Sequence, residues 1–186
     1  MAELSCNLMD IAQASAGCSE QYAGLGNTVY VALPEDLTAK PEYDETGKAA
    51  FSNSAFTFDE GKGAYKIRCK KQTVQITATA NDGARGYNVQ LMFTVDKDVQ
   101  NAAQVFRVLK NKGDAIFFVE NPAGGYFVVY DPQFGTELAN NYDTGTTPDS
   151  DMGHTVTVTC NPCPFALTSW DGTLTVKSEV SPGVGG

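Results

Sequence analysis

Alternation of apolar and polar residues runs through most of the chain and predicts a protein built mainly of β-strands. The clearest example is residues 64–70, where Tyr65 and Ile67 share one face of the predicted strand. The opposite face carries the basic side chains Lys66, Arg68 and Lys70. Further strands are predicted at residues 27–33, 50–58, 74–80, 87–95, 115–120, 126–131, 155–160 and 172–176.

One segment, at about residues 98–112, has the periodicity of an α-helix instead. Its apolar residues recur at helical spacing and form a single stripe made of Val99, Ala102, Ala103, Phe106 and Leu109. Asp96 or Asp98 can cap its first turn. Gly113 can end it, because glycine adopts the left-handed conformation that stops a helix at no steric cost.

These elements predict a mainly β fold, an antiparallel β-sandwich or open barrel with one flanking α-helix. Residues 27–178 are expected to form this single domain, because the chain of 186 residues is of one-domain size. Residues 1–26 are predicted to be an N-terminal extension and residues 179–186 a flexible C-terminal tail. Residues 132–153 are rich in Gly, Thr, Pro and Asp and are predicted to form a long loop.

The polar faces of two neighbouring predicted strands are uncharged. They carry Gln75, Thr77, Thr79, Asn88 and Gln90. Solvent-exposed sheet edges usually carry charges, which prevent pairing with other chains. Uncharged faces therefore favour sheets that continue into a partner subunit or that line a wet interior. The high β-propensity of threonine accounts for the same pattern equally well.

Charge is unevenly distributed along the chain. The formal net charge is -9, from 22 acidic and 13 basic residues. That balance argues against a nucleic-acid-binding domain, which is usually basic, and against electrostatic attachment to an anionic membrane. Residues 1–112 carry a net charge of -1, whereas residues 113–186 carry -8, with Lys177 as their one base.

This asymmetry suggests a contact between two copies of the chain. The basic stripe of one subunit, formed by Lys66, Arg68 and Lys70, would meet the acidic loop 137–151 of a neighbour. The acidic residues of this contact are Asp143, Asp149 and Asp151. Two different patches that meet form a heterologous contact, which closes into rings or continues as a filament. Neutralisation of the two groups within one chain explains the pattern equally well.

The cysteines indicate a reducing compartment. The chain has five of them and its N-terminus lacks the basic region of a secretory signal. An odd count in that context predicts reduced thiols. Cys160 and Cys163 form the one C-x-x-C, which we interpret as two small apolar residues at a strand end. A zinc half-site and a redox pair are the alternatives. A structural zinc site needs a second pair of ligands, and a redox motif should open a helix after a strand, whereas this motif is flanked by prolines after a predicted strand.

The sequence contains no recognisable catalytic constellation. His154 is the single histidine, and its Gly- and Asp-rich surroundings predict a surface position. No G-x-S-x-G nucleophile motif occurs. Residues 143–151 carry three carboxylates and are a weak candidate for calcium, because they do not fit the EF-hand pattern. We therefore expect no enzyme activity, no catalytic residue, no metal and no cofactor.

Several segments together resemble the major tail tube proteins of tailed bacteriophages of the siphophage type. They are residues 61–96, the helix that follows, the aromatic hairpin at residues 115–132, and residues 144–164. The likeness is one of style and element order, and it covers about residues 27–176. It implies a structural virion protein whose β-sandwich subunits form hexameric rings. The sheets of a ring would join into an inner barrel, and the rings would stack into a tube.

The resemblance also implies partners and a location. The protein would assemble in the host bacterial cytoplasm and function in the virion tail, with tape-measure and other tail proteins but no membrane. DNA would pass through the lumen without specific binding. The lumen-lining candidates are Gln75, Thr77, Thr79, Asn88 and Gln90. The alternative is a β-sandwich binding module, carbohydrate-binding or adhesin-like, which predicts a monomer with an exposed strip of aromatic residues.

Overall fold

The computed structural model describes residues 25–83, 85–96, 99–144 and 152–177. These residues form nine β-strands and one α-helix. The strands are β1 (Thr28–Ala32), β2 (Tyr65–Arg68), β3 (Gln75–Ala80), β4 (Tyr87–Asp96), β5 (Ile116–Glu120), β6 (Tyr126–Val129), β7 (Glu137–Asp143), β8 (Gly153–Cys163) and β9 (Thr168–Trp170). The helix α1 (Val99–Lys112) lies between β4 and β5 in the chain, so the helix predicted at about residues 98–112 is confirmed.

The strands form two sheets in which all neighbours are antiparallel. A five-stranded sheet has the order β2-β1-β5-β6-β9, and a four-stranded sheet has the order β3-β4-β8-β7. The predicted fold class, an antiparallel β-sandwich with one flanking helix, is confirmed. The two sheets bury a shared apolar core, to which Val31 and Phe117 of the larger sheet and Leu91 and Val158 of the smaller sheet contribute.

The middle of the five-stranded sheet, strands β1 and β5, is buried on both faces, whereas the outer strand β2 is mostly exposed. The second face of this sheet lies under residues 37–64, where Phe118 packs edge-on against Phe56 with ring centroids 4.8 Å apart and lies 5.7 Å from Trp170. Burial on both sides explains why β5 is a continuous apolar run rather than an alternating one. Each such aromatic side chain contributes roughly 1.5–3 kcal/mol through removal from water.

The prediction of a strand at residues 50–58 is wrong. This segment makes only isolated bridges, Ala50 with Ser169, Phe51 with Tyr43 and Phe58 with Leu37, and has turns between them. The spacing of Phe56 and Phe58 suggested the alternation of a strand. Phe56 is buried because this segment packs over the five-stranded sheet. Tertiary packing, not strand pairing, therefore explains the pattern.

Two further predictions near the C-terminus also need correction. Residues 132–153 are not one long loop, because they contain β7 and the first residue of β8. The strand β7 lies at a sheet edge, so only Leu138 and Asn140 are even half-buried and the apolar signal is weak. The last strand is Thr168–Trp170, whereas residues 172–176 contribute only an isolated bridge from Val176 to Ala64.

Helix α1 presents one stripe to the core. Phe106 and Leu109 are buried, and the Phe106 ring lies 6.4 Å from the ring of Phe93 in β4. The helix ends as predicted at Gly113, which has a φ of 61° and donates its N–H to the carbonyl oxygen of Leu109 over 3.1 Å. Of the two candidate caps, Asp98 lies outside the described residues and Asp96 is the last residue of β4.

The chain termini fall mostly outside the part that the structure describes. The predicted extension at residues 1–26 is described only from residue 25, and the predicted tail at residues 179–186 lies wholly outside. The division of the chain into an extension, one domain and a tail therefore stays a prediction.

Candidate functional site

The face of the four-stranded sheet that points away from the core gathers the polar residues singled out in the sequence. Strand register places Thr77 opposite Gln90, Gln90 opposite Thr159, and Thr159 opposite Glu137. A second row of paired residues on the same face consists of Gln75, Met92, Thr157 and Ala139. Thr79 pairs with Asn88 on the same face, so all five lumen-lining candidates share one surface.

This face is almost free of charge. The four strands of the sheet contain no Lys or Arg, and their acidic residues are Asp96, Glu137 and Asp143. Gln75, Thr77 and Thr79 are exposed, whereas Asn88 and Gln90 are half-buried. The side-chain oxygen of Asn88 is buried and has no hydrogen-bond partner, at a point where the register between β4 and β8 shifts.

Both outer strands of the four-stranded sheet have one side without a paired strand in the described structure, and helix α1 packs close to β7. No described strand pairs with the far side of β3 or of β7. Because the strand directions alternate across four antiparallel strands, β3 and β7 run in opposite directions. Strand β3 is uncharged and exposed over nearly its whole length, which is the type of edge that pairs readily with another chain.

Ladder alternation identifies the backbone groups on these two open sides. The N–H of Asn81 donates to Gly86 across the β3–β4 turn, so odd-numbered residues of β3 point their backbone groups at β4. The backbone groups of Ile76, Ala78 and Ala80 therefore point outward. Followed across β4 and β8, the same alternation places the backbone N–H and C=O groups of Leu138, Asn140 and Tyr142 on the side of β7 that faces away from β8.

The predicted charge contact is divided between the two sheets. Lys66 and Arg68 are exposed on β2, the outer strand of the five-stranded sheet, and neither forms an ion pair with a described residue. Lys70 donates its backbone N–H to Thr94 of the other sheet over 2.7 Å. Asp143 ends β7, while Asp149 and Asp151 lie outside the described residues. A contact between these groups across subunits stays a prediction.

His154 is not at the surface, contrary to expectation. It lies in β8 on the core side, is 3% exposed, and has its ring 5.4 Å from that of Phe106. Its Nδ1 lies 3.2 Å from the amide oxygen of Asn140, and its Nε2 has no partner. Desolvation lowers the pKa of His154. An imidazole that is buried among aromatic rings in this way is a poor candidate for a general base.

The expectation of reduced thiols is also wrong for one pair. Cys160 and Cys163 form a disulfide at the end of β8, with their Cα atoms 6.1 Å apart and both residues buried. That bond removes them as a zinc half-site. Cys69 is the one free cysteine among the described residues, and burial raises the pKa of its thiol to about 12. It is therefore not a reactive nucleophile.

A groove beside the disulfide is built around a structural carboxylate. It has a volume of about 620 Å³ and is lined by Tyr43, Phe134 and several prolines. Asp131 at its base accepts hydrogen bonds from the Tyr43 hydroxyl at 3.0 Å and from the backbone N–H groups of Gln133 and Phe134. Burial raises the pKa of Tyr43, so its hydroxyl stays protonated and donates the hydrogen bond that holds this loop.

The exposed aromatic residues do not form a strip. The larger exposed rings of the described residues are Tyr65 on β2, Phe134 after β6 and Tyr142 on β7. No ring contact joins any two of these three among the described residues, so the described part of the chain gives no support to the aromatic strip expected of a carbohydrate-binding module. Within the described ranges, no three His, Cys, Asp or Glu side chains cluster as metal ligands would. The helix of the described residues falls short of the length and hydrophobicity of a membrane span.

Comparison with known proteins returns no relative. The chain matches no protein family, no curated protein and no solved structure.

Proposed function

We propose that the protein is a phage tail tube subunit that self-assembles into rings through the two outer strands of its four-stranded sheet. The observation that supports this most is the pair of open, opposite-running edges β3 and β7. In a ring of identical copies, each contact joins the β3 edge of one copy to the β7 edge of the next. Opposite directions within the protomer make that junction antiparallel.

The faces of the joined strands also match. The outward backbone groups belong to Ile76, Ala78 and Ala80 on β3, and to Leu138, Asn140 and Tyr142 on β7. All six side chains lie on the core side of the sheet, opposite the Thr, Gln and Asn face. Joining the edges therefore continues one polar face and one core face without a break, which is the condition for a closed barrel.

The ring size implied by the tail tube resemblance would enclose an open channel. Six copies of a four-stranded sheet supply about 24 strands, more than the roughly 16–18 strands that leave an aqueous channel in porins. Since the five-stranded sheet covers the core face, the polar face would turn towards the channel. Gln75, Thr77, Thr79, Asn88 and Gln90 would then line it, and stacked rings would form the tube.

The chemistry of this face suits a passive DNA conduit. Affinity for DNA comes largely from Lys and Arg contacts to phosphates, which release counterions. The four strands that would form the channel carry no Lys or Arg, and Glu137 and Asp143 repel phosphate. We place this subunit in the virion tail together with tape-measure and other tail proteins. Assembly in the host bacterial cytoplasm is proposed from the resemblance alone, because the Cys160–Cys163 disulfide removes the argument from reduced thiols.

A proline at the β3 edge tests the proposal. Ala78→Pro removes a backbone N–H that points away from β4, so the protomer keeps its own ladder while strand addition loses a donor. We expect wild-type protein at high concentration to form annuli or tubes in negative-stain electron microscopy. The Ala78→Pro variant should stay a folded monomer, with an unchanged circular dichroism spectrum.

Ala78→Ser is the matched control, because it changes the side chain at the same position and keeps the N–H. It should assemble like the wild type. A wild-type protein that stays monomeric at high concentration would overturn the proposal. So would assembly of Ala78→Pro that equals assembly of Ala78→Ser.

A further inference from the structure

The strand β2 is the outer strand of the five-stranded sheet, and part of its outer side is open in the described structure. Ala64, just before β2, donates its N–H to Thr175 and accepts from the N–H of Lys177, both at 2.9 Å. Its backbone groups therefore point away from β1. Because strand residues alternate, the backbone groups of Lys66 and Arg68 point the same way, and no described residue bonds to them.

The open stretch is bounded at both ends. At one end, the bonds of Ala64 occupy the edge. At the other end, Lys70 follows β2 and donates its N–H to the carbonyl oxygen of Thr94 in the four-stranded sheet over 2.7 Å. The edge thus leaves room for a short strand whose central residues would lie opposite residues 66–68.

An apolar groove lies beside this open stretch. It has a volume of about 520 Å³ and lies between β2, the end of β1 and helix α1. Tyr65 of β2 and Val105 and Val108 of α1 line it and are 42%, 42% and 44% exposed. Ile67 of β2 lines it as well. A side chain opposite Ile67 on an added strand would share the face of Ile67 and project towards this groove.

The other face of β2 is basic. Lys66 pairs with Tyr30, whose side chain packs on the side of the sheet away from the core shared with the smaller sheet, and Arg68 shares that face. Both basic residues are exposed, and neither forms an ion pair with a described residue. Acidic residues opposite them on an added strand would therefore supply the missing charge partners.

We infer that this stretch of β2 binds an extended segment of another protein in which an apolar residue lies between two acidic residues. The acidic side chains would lie opposite Lys66 and Arg68, and the apolar side chain would lie opposite Ile67 and enter the groove. The backbone of the segment would bond to the outward N–H and C=O groups of the two basic residues, as in strand addition at a sheet edge. The two faces of β2 together thus specify the order of residues in the segment.

The chain itself does not offer such a segment in a free form. Glu42, Tyr43 and Asp44 are its one run of an acidic, an apolar and an acidic residue. The ring of Tyr43 stacks on that of Phe51 with centroids 4.6 Å apart, and its hydroxyl donates to Asp131 at 3.0 Å. This run is therefore held within its own protomer. Neither β3 nor β7 contains such a run, so these edges of a second copy do not match β2.

This inference does not depend on ring assembly through β3 and β7, which leaves β2 unpaired. It shares Lys66 and Arg68 with the charge contact predicted between copies, so a bound segment and that contact would exclude each other. Binding is therefore measured on the Ala78→Pro variant, at concentrations where size-exclusion chromatography shows a monomer. A failure of the assembly proposal then leaves the result of this experiment unaffected.

Titration calorimetry with short blocked peptides tests the inference. The probe is Thr-Glu-Val-Glu-Thr, and the control Thr-Glu-Glu-Val-Thr has the same composition but places its acidic side chains on both faces of a strand. The probe should bind about tenfold more tightly than the control, because only the probe pairs both acidic residues with the basic face. Its binding should weaken as salt rises.

Charge reversal on the protein tests the basic face. The double variant Lys66→Glu and Arg68→Glu should lose binding of the probe and should bind the peptide Thr-Lys-Val-Lys-Thr instead, because the signs of both partners are exchanged. Reversal of Lys40 and Lys48, which are also exposed, changes the net charge equally and should leave probe binding within about twofold.

A matched pair of helix variants tests the groove. Val105→Glu places a charge in the groove and should weaken binding of the probe about tenfold, because the apolar side chain of the probe loses its site. Ala103→Glu makes the same addition at an exposed position of α1 that does not line this groove, and it should leave binding within about twofold.

Amide hydrogen exchange tests the backbone contact. Saturating probe should slow exchange of the outward-facing Arg68 amide about tenfold and leave the Ile67 amide, which faces β1, unchanged. Absence of probe binding, or equal binding of probe and control, would overturn the inference. An Arg68 amide already protected without probe would also overturn it, by assigning the edge to the chain itself, or to a second copy if protection rises with protein concentration.

Discussion

The ring of His154 lies in an otherwise apolar part of the core, between the aromatic rings of Phe106 and Tyr142. With the Asn140 oxygen as acceptor at 3.2 Å, Nδ1 is the protonated nitrogen and Nε2 is the bare one. Nε2 is buried without a partner. Protonation would add a positive charge and would turn Nε2 into a buried donor without an acceptor, so the fold favours the neutral imidazole.

This arrangement predicts a pH-dependent stability. The folded-state pKa of His154 is lowered, so the unfolded chain binds a proton at a higher pH than the folded chain does. The contribution of the neutral ring is fully present above the unfolded pKa of about 6.5. It is lost as pH falls from that value through the folded pKa. Urea unfolding between pH 8 and pH 5.5 should show the decline.

His154→Phe separates this effect from the carboxylates that titrate at lower pH. The phenyl ring keeps the contacts with Phe106 and Tyr142 but does not ionise. The variant should lose most of the decline between pH 7 and pH 5.5. An identical pH slope in the variant and the wild type would contradict the assignment.

Single elements show how local signals and packing combine. Helix α1 follows its sequence pattern in part: Phe106 and Leu109 of the predicted stripe are buried and Ala102 is half-buried, whereas Ala103 is exposed. The end of the helix is set by one glycine. Gly113 has a φ of 61°, and a Cβ added there would meet nothing within 4 Å. Glycine is therefore favoured at this position by the left-handed backbone conformation and not by a lack of space for a side chain.

That distinction makes Gly113 a direct test of the helix end. Gly113→Ala should lower the free energy of unfolding by about 1 kcal/mol, since the left-handed conformation costs an L-residue roughly that amount. Gly113→Asn should cost less, because asparagine visits this conformation more easily. Chemical denaturation of the three proteins measures the difference. Equal losses for Ala and Asn would point to a lost contact instead of backbone strain.

At the scale of the whole molecule, charge is separated between the two sheets. The exposed bases Lys66 and Arg68 belong to the outer strand of the larger sheet, whereas Glu137 and Asp143 belong to the outer strand of the smaller one. Copies that meet through unlike patches gain a heterologous contact in addition to strand pairing. Such a contact should weaken as salt rises, since exposed charges are screened.

Reversal of Lys66, Arg68 and Lys70 to Glu is expected to abolish high-order assembly while leaving the fold intact. The reason is that like charges would then face each other across the contact. Size-exclusion chromatography and negative-stain microscopy measure assembly, and circular dichroism measures the fold. Reversal of Lys40, Lys48 and Arg107, which are also exposed, gives the same charge change elsewhere. Assembly that survives the first reversal, or is lost equally in the second, would refute the contact.

Much of the architecture follows from patterns that are local in sequence. Period-two alternation predicted most of the strands, and the uncharged side chains of Gln75 and Thr77 were correctly placed opposite the apolar side of their strand. The failures lie where burial comes from distant residues. Phe56 is buried by Phe118, and the weakly apolar strand β7 exists because β8 offers it a ladder.

The sequence by itself determined the β class, the helix and its end, and the uncharged character of one set of strand faces. These properties depend on the spacing of side chains along a short stretch of backbone. The tertiary structure alone decided which strands share a sheet, that His154 is buried, that Cys160 bonds to Cys163, and that β3 and β7 are the outer strands of the four-stranded sheet. Those outcomes depend on contacts between residues that are far apart in the sequence, and a local pattern of side chains does not determine which distant segment a strand or side chain will contact.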